Sequence, residues 1–148
     1  ELYRLYEYDN MVLRKGNNDW DMPTQPQQNS SYAGMRQFRA FNENCYLTAH
    51  AGETYDNIAR EIGISARKLA KYNERPEDAP LSEGEIVWLR KKQRHVPENF
   101  GKQYHTVRSN ESLYDISQQY GVRLKNIMKA NRKIVKRGIK AGDRVVLP

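Results

Sequence analysis

The chain has 148 residues, with 25 Lys and Arg against 18 Asp and Glu for a formal charge of +7, 38% hydrophobic residues and a single cysteine. No apolar run approaches the roughly 20 residues of a membrane-spanning helix, and no basic start leads into an apolar stretch as in a signal peptide. Lone Cys45 rules out an internal disulfide, and the positive charge suits either an anionic partner or an ordinary solvated basic surface.

Taken in order, the first 45 residues form an N-terminal extension. Leu2, Leu5 and Tyr6, with Tyr3 and Tyr8, read as the last turns of a helix, and a start at Glu1 rather than Met reads as a fragment whose upstream part is missing. Met22 to Tyr32, with two prolines, three glutamines and paired serines, has the composition of a linker. Arg36 to Phe41 is extended, Asn42 to Asn44 is a turn, and Cys45 to Ala49 continues as a strand, so a hairpin is predicted there.

From Tyr46 onward a single offset of 58 residues lays Tyr46–Arg90 onto Tyr104–Pro148 without a gap, and ten of the 45 paired positions are identical. The identities include Glu53 with Glu111, Gly63 with Gly121, Asn73 with Asn131 and Val87 with Val145. Such a repeat decides architecture before residue chemistry does. It divides the chain into the extension (1–45), one unit (46–90), a linker (91–103) and a second unit (104–148).

Within each unit the period changes in a fixed order. Leu47 and Ala49, like His105 and Val107, lie two apart as on one face of a strand. Tyr55, Ile58, Ala59 and Ile62 fall at helical spacing, as do Leu113, Ile116 and Tyr120. Thr54 and Ser112 stand where these helices begin, each able to cap, and Gly63 and Gly121 stand where they end. A second short helix follows, about Ala66 to Tyr72 and Leu124 to Ala130. Ser65 can cap the first of these, whereas Arg123 holds the matching place before the other. Gly84 and Gly142 then turn the chain into a closing strand with Val87 and Leu89, or Val145 and Leu147, inward. The same alternation puts Trp88 on the sheet face away from the helices, so we expect the N-terminal segment or the neighbouring unit to cover it.

The ordered run Tyr104-His105-Thr106-Val107, Asn110-Glu111-Ser112-Leu113, Ile116, Tyr120-Gly121-Val122, Ile127, Asn131, Gly142-Asp143 and Val145-Val146-Leu147-Pro148 resembles the LysM module. The stretch from Leu47 through Gly52-Glu53-Thr54, Ile58-Ala59, Gly63-Ile64, Leu69, Tyr72-Asn73 and Gly84-Glu85 resembles it nearly as well. The resemblance implies an α+β fold of two βααβ modules in tandem, each with two helices on a two-stranded antiparallel sheet. It also implies binding of polymers containing N-acetylglucosamine, chiefly peptidoglycan in bacteria and chitin in some hosts, in a shallow groove between the loop after the first strand and the loop before the last. Carried over by position, the first groove takes Gly52, Glu53, Thr54 and Tyr55 against Glu74, Arg75, Pro76 and Glu77. The second takes Asn110, Glu111, Ser112 and Leu113 against Arg132, Lys133, Ile134 and Val135. Asn110 stands where the family commonly has Gly, and both units have Glu where Asp is common. The second loops also differ in charge, acidic in one unit and basic in the other, so the grooves are not expected to be equal.

Paired carboxylates flanking a sugar bond are the usual glycosidase machinery, but Glu53 and Glu111 are one equivalent position per unit, so no catalytic residue is expected. His50, His95, His105 and Cys45 lack paired ligand spacing, so no metal and no cofactor are expected. The basic runs Arg90 to His95 and Arg132 to Lys140 can meet phosphates but interrupt folded units, and a nucleic-acid partner is not expected. The expectation is a noncatalytic, monomeric, extracytoplasmic binding segment of the bacterial envelope that holds a cell-wall hydrolase, such as an upstream glucosaminidase, on its substrate. The alternative is a structural or protein-interaction module with degenerate sugar grooves. The linker either lets the two modules float or packs and fixes them.

Overall fold

Asn42 and Glu43 both adopt positive φ, 54° and 55°, and this pair of left-handed residues folds strand β1 (Arg39–Phe41) back on β2 (Asn44–Thr48) as a tight hairpin. The computed structural model describes residues 36–148; the predicted helix end at Leu2–Tyr8 and the linker at Met22–Tyr32 fall outside them. The other edge of β2 pairs antiparallel with β3 (Ile86–Trp88) in the register Tyr46 with Trp88 and Leu47 with Val87. The first module thus has a three-stranded sheet, one strand more than the resemblance implies, and the predicted hairpin supplies it.

Two helices pack on that sheet. Thr54 accepts from the Asn57 amide and Asn57 answers with its side chain, a capping box that starts α1 (Tyr55–Ile62), and Gly63 ends it at φ 82°. Ser65 caps α2 (Ala66–Tyr72) by accepting from the Lys68 amide. The second module repeats the plan with a two-stranded sheet of β4 (Tyr104–Thr106) and β5 (Arg144–Val146). Ser112 and Asp115 make the same capping box on α3 (Leu113–Tyr120), and α4 (Leu124–Ala130) starts at Arg123 without a side-chain cap of its own.

The second module departs from the expected plan in one place. The residues expected to form its loop before the last strand are helical, as α5 (Arg132–Arg137). The matching stretch of the first module carries Pro76, which has no amide to donate to a helix. The second copy has no proline there, and its Ile134 packs on the module core.

Each core lies between sheet and helices. Leu47, Ile58, Leu69 and Val87 fill the first, and Val107, Ile116, Ile127 and Val145 fill the second. The repeated asparagine ties helix to sheet identically in both. Asn73 donates to the carbonyls of Leu69 and Trp88 and accepts from the Trp88 amide. Asn131 does the same with Ile127 and Val146.

Arg39–Pro148 is one compact unit holding both modules. Trp88 is completely buried, and the neighbouring module covers it. Its indole N–H donates to the Gln118 carbonyl at 2.9 Å, and its ring lies against Tyr46 with centroids 4.9 Å apart. The linker is packed rather than floating. Gln93 donates to the Gly121 carbonyl and accepts from the Arg123 amide, and the Val96 amide donates to the Pro148 carbonyl. Among the described residues no helix is long and apolar enough to cross a membrane.

Candidate functional site

The two loops of the first candidate groove are hydrogen-bonded together. The Gly52 amide donates to the Leu81 carbonyl at 3.3 Å and the Leu81 amide to the Glu53 carbonyl at 3.0 Å, while Thr54 bridges Pro80. Gly52 turns the chain at φ 83°, a region glycine enters at little cost. The capping boxes take the amides of Asn57 and Asp115. An α-helix leaves its first amides without internal acceptors, so those of Tyr55 and Asp56, and of Leu113 and Tyr114, are the donors the caps leave at each loop.

The repeated glutamates brace their own loops. Glu53 accepts from the His50 amide at 2.6 Å. Glu111 accepts from the Arg108 amide at 2.9 Å, and also meets His105 Nε2 at 2.9 Å and Gln119 Nε2 at 2.5 Å. Burial acts to raise the Glu111 pKa, but the Arg108 amide, His105 and Gln119 outweigh it and hold the carboxyl below its ordinary value. Asn110 keeps the left-handed turn at φ 61° in the absence of glycine. His105 completes the group through Nδ1, 2.8 Å from the Tyr120 hydroxyl.

Among the other residues expected in the first groove, Tyr55 is fully buried and serves the core. Burial pushes its hydroxyl up to about 12. Its side chain therefore cannot line a groove, and only its backbone belongs to the loop. Arg75 pairs with Glu85 and reaches the Pro80 carbonyl at 3.3 Å. Pro76 accepts from the Ala79 amide, and Glu77 is exposed. Glu74 points elsewhere: its Oε1 meets Lys92 Nζ at 2.8 Å and accepts from the Leu124 amide at 3.0 Å. It closes the joint between modules.

Sequence reasoning did not find that contact, since it linked Glu74 only to a groove and gave Lys92 to a basic run within a linker that either floats or packs. Lys92 is buried, and its ammonium donates to Ser117 Oγ and Gln118 Oε1, both at 2.7 Å. Desolvation lowers its pKa against the pull of Glu74. Around it Gln118 Nε2 donates to Asn73 Oδ1 and the Ile86 carbonyl, and the Tyr114 hydroxyl donates to the Asn73 backbone carbonyl. The missing cap before α4 was a legible signal that a partner had to come from elsewhere.

In the second groove Ser112 is spent on its cap and Leu113 is half-buried against the core. Arg132, Lys133, Ile134 and Val135 all lie on α5 rather than on an open loop. Arg132 and Val135 face an open depression shared with α4. The two second loops thus differ in backbone as well as in charge.

The LysM domain model matches two stretches of the chain, residues 48–90 and 105–148. Among solved structures, the chain is similar to crystal structures of the spore cortex-lytic enzyme SleL from Bacillus cereus, at 23% identity and TM-score 0.29, and from Bacillus megaterium QM B1551, at 25% and 0.28. Each alignment covers 70% of this chain and only 22% of the enzyme. No curated protein matches.

Proposed function

The chain belongs to the LysM domain family, with two modules in tandem, and from that membership we propose that it binds bacterial peptidoglycan, without catalysis, to hold an attached domain on the cell wall. LysM domains generally bind glycans containing N-acetylglucosamine, peptidoglycan among them. The observation that carries the reading here is the repetition of one loop geometry. Gly52 and Asn110 turn left-handed at equivalent positions, and each is followed by the same capping box.

N-acetylglucosamine offers an amide, hydroxyls and a methyl group, so its site needs backbone donors and acceptors beside small apolar contacts. In this reading the ligand lies on the backbone of Gly52, Glu53, Thr54 and Tyr55 in one module and of Asn110, Glu111, Ser112 and Leu113 in the other. The facing contributions come from Arg75, Pro76 and Glu77, and from Arg132, Lys133, Ile134 and Val135. Glu74 contributes little, because the module joint holds its carboxylate. Such sites are shallow and bind weakly alone. Fixed on one unit, they act together on a polymer long enough to span both. The setting is the bacterial envelope outside the cytoplasm, and the attached domain is a wall hydrolase such as a glucosaminidase.

The test is to titrate N-acetylglucosamine oligomers and purified peptidoglycan while following backbone amide signals. Shifts at Gly52–Thr54 and Asn110–Ser112 are expected. Silence at both turns at millimolar oligomer refutes the reading and favours a protein-interaction module with decayed grooves.

A further inference from the structure

Helices α4 and α5 enclose an open depression of about 420 Å³ lined by Lys125, Met128, Lys129, Arg132, Val135 and Lys136. Four of these six carry positive charge, and the lining contains no acidic side chain. Arg137 is drawn off to Asp143 at 3.1 Å. Among the described residues, no hydrogen bond or ion pair engages the side chains of Lys125, Lys129, Arg132 or Lys136. Met128 and Val135 leave 38% and 37% of their surface in solvent between these cations. The matching positions of the first module are Arg67, Ala70, Lys71, Glu74, Glu77 and Asp78. That mixed set includes a carboxylate already committed to Lys92, so the feature belongs to the second module alone.

We infer that this depression takes the carboxylate-bearing peptide that peptidoglycan carries and chitin lacks. A lining of four cations with the apolar Met128 and Val135 matches a chain that alternates carboxylates with small alkyl groups. A phosphodiester polymer offers charge without the alkyl groups, and single-stranded nucleic acid gains most from aromatic platforms, whereas no lining residue is aromatic. A volume of that size accommodates a peptide of a few residues. The inference rests on the peptidoglycan reading in one respect: Arg132 and Val135 belong both to this depression and to the second proposed groove, so a glycan held there would present its peptide beside these cations.

The experiment titrates the full chain with five probes: an N-acetylglucosamine tetramer, a free acidic stem tetrapeptide, a disaccharide–peptide fragment of peptidoglycan, the same disaccharide without its peptide, and poly(glycerol phosphate). The tetrapeptide is expected to shift the amides of Lys125–Lys136. The disaccharide–peptide should bind about tenfold more tightly than the same disaccharide alone, a gain within reach of a few charge contacts. Lys129→Glu with Lys136→Glu should abolish that gain while leaving the affinity for the sugar tetramer unchanged. The inference is overturned if the tetrapeptide leaves Lys125–Lys136 unmoved, if the double variant keeps the gain, or if only poly(glycerol phosphate) shifts these amides. Sugar shifts at Asn110–Ser112 without peptide shifts retain the groove reading and sink this one. Peptide shifts with silent sugar do the reverse.

Discussion

Glu74 Oε1 accepts a 3.0 Å hydrogen bond from the backbone amide of Leu124, the first residue of α4, fifty positions along the chain. A carboxylate of one module thus caps a helix of the other, at the end where the helix dipole is positive. The same oxygen meets buried Lys92 at 2.8 Å. Glu74→Ala should destabilise the chain by about 2–3 kcal/mol, combining a lost cap with a buried ammonium left short of its counter-charge. Glu74→Gln should cost less, because it can keep the cap. Urea unfolding of both variants checks the order.

Gly63 and Gly121 are the same position of the repeat, yet substitution should separate them. A Cβ on Gly121 would lie 2.9 Å from Cη2 of Trp88, whereas one on Gly63 meets open space. Gly63→Ala carries only the left-handed backbone penalty of about 1 kcal/mol. Gly121→Ala adds a clash against a packed indole, for about 2–4 kcal/mol in total. Thermal melts of the two variants should differ by several degrees.

The clamp at Asn131 spans α4 and β5 by three hydrogen bonds. Asn131→Ala should cost about 2–3 kcal/mol, because it orphans buried backbone groups. Asn73→Ala should cost more, since Asn73 Oδ1 also accepts from Gln118 of the other module. Equal losses in denaturant would contradict the extra tie.

The Glu111 carboxyl sits below its ordinary value of 4.5 despite burial, through the Arg108 amide, His105 and Gln119. A depressed carboxylate pKa stabilises the fold fully above the unfolded value, and that contribution disappears as pH falls through the folded one. Stability should therefore drop below about pH 4.5, and Glu111→Gln should flatten that drop. Urea midpoints measured from pH 3 to 7 on both proteins provide the check.

Burial pushes the Cys45 thiol up to about 12, so little thiolate forms near neutrality and the folded chain should resist maleimide. Labelling should follow unfolding. Reaction of the native protein as fast as a free thiol would show that β2 opens readily.

Most of the fold was legible because the repeat supplies each signal twice. The Thr54 and Ser112 caps, the Gly63 and Gly121 stops and the alternation at Val87 and Val145 are local features that a short window can read. The candidate loops were legible only as positions. Sequence spacing could not show that Tyr55 turns into the core, that Glu74 leaves its groove for Leu124, or that residues 132–137 coil into α5. Those outcomes depend on partners dozens of residues away and on Ile134 finding a core to bury against. Trp88 lay between the two cases: alternation set its face, and only packing showed which element covers it.

The shared joint changes what the duplication amounts to. With Trp88 roofed by α3 and α4 capped by Glu74, each copy has handed part of its own completion to the other. Cutting between them would expose an indole on one piece and uncap a helix on the other. Either module taken alone would need its cut face mended, so the self-sufficient unit of this chain is the pair.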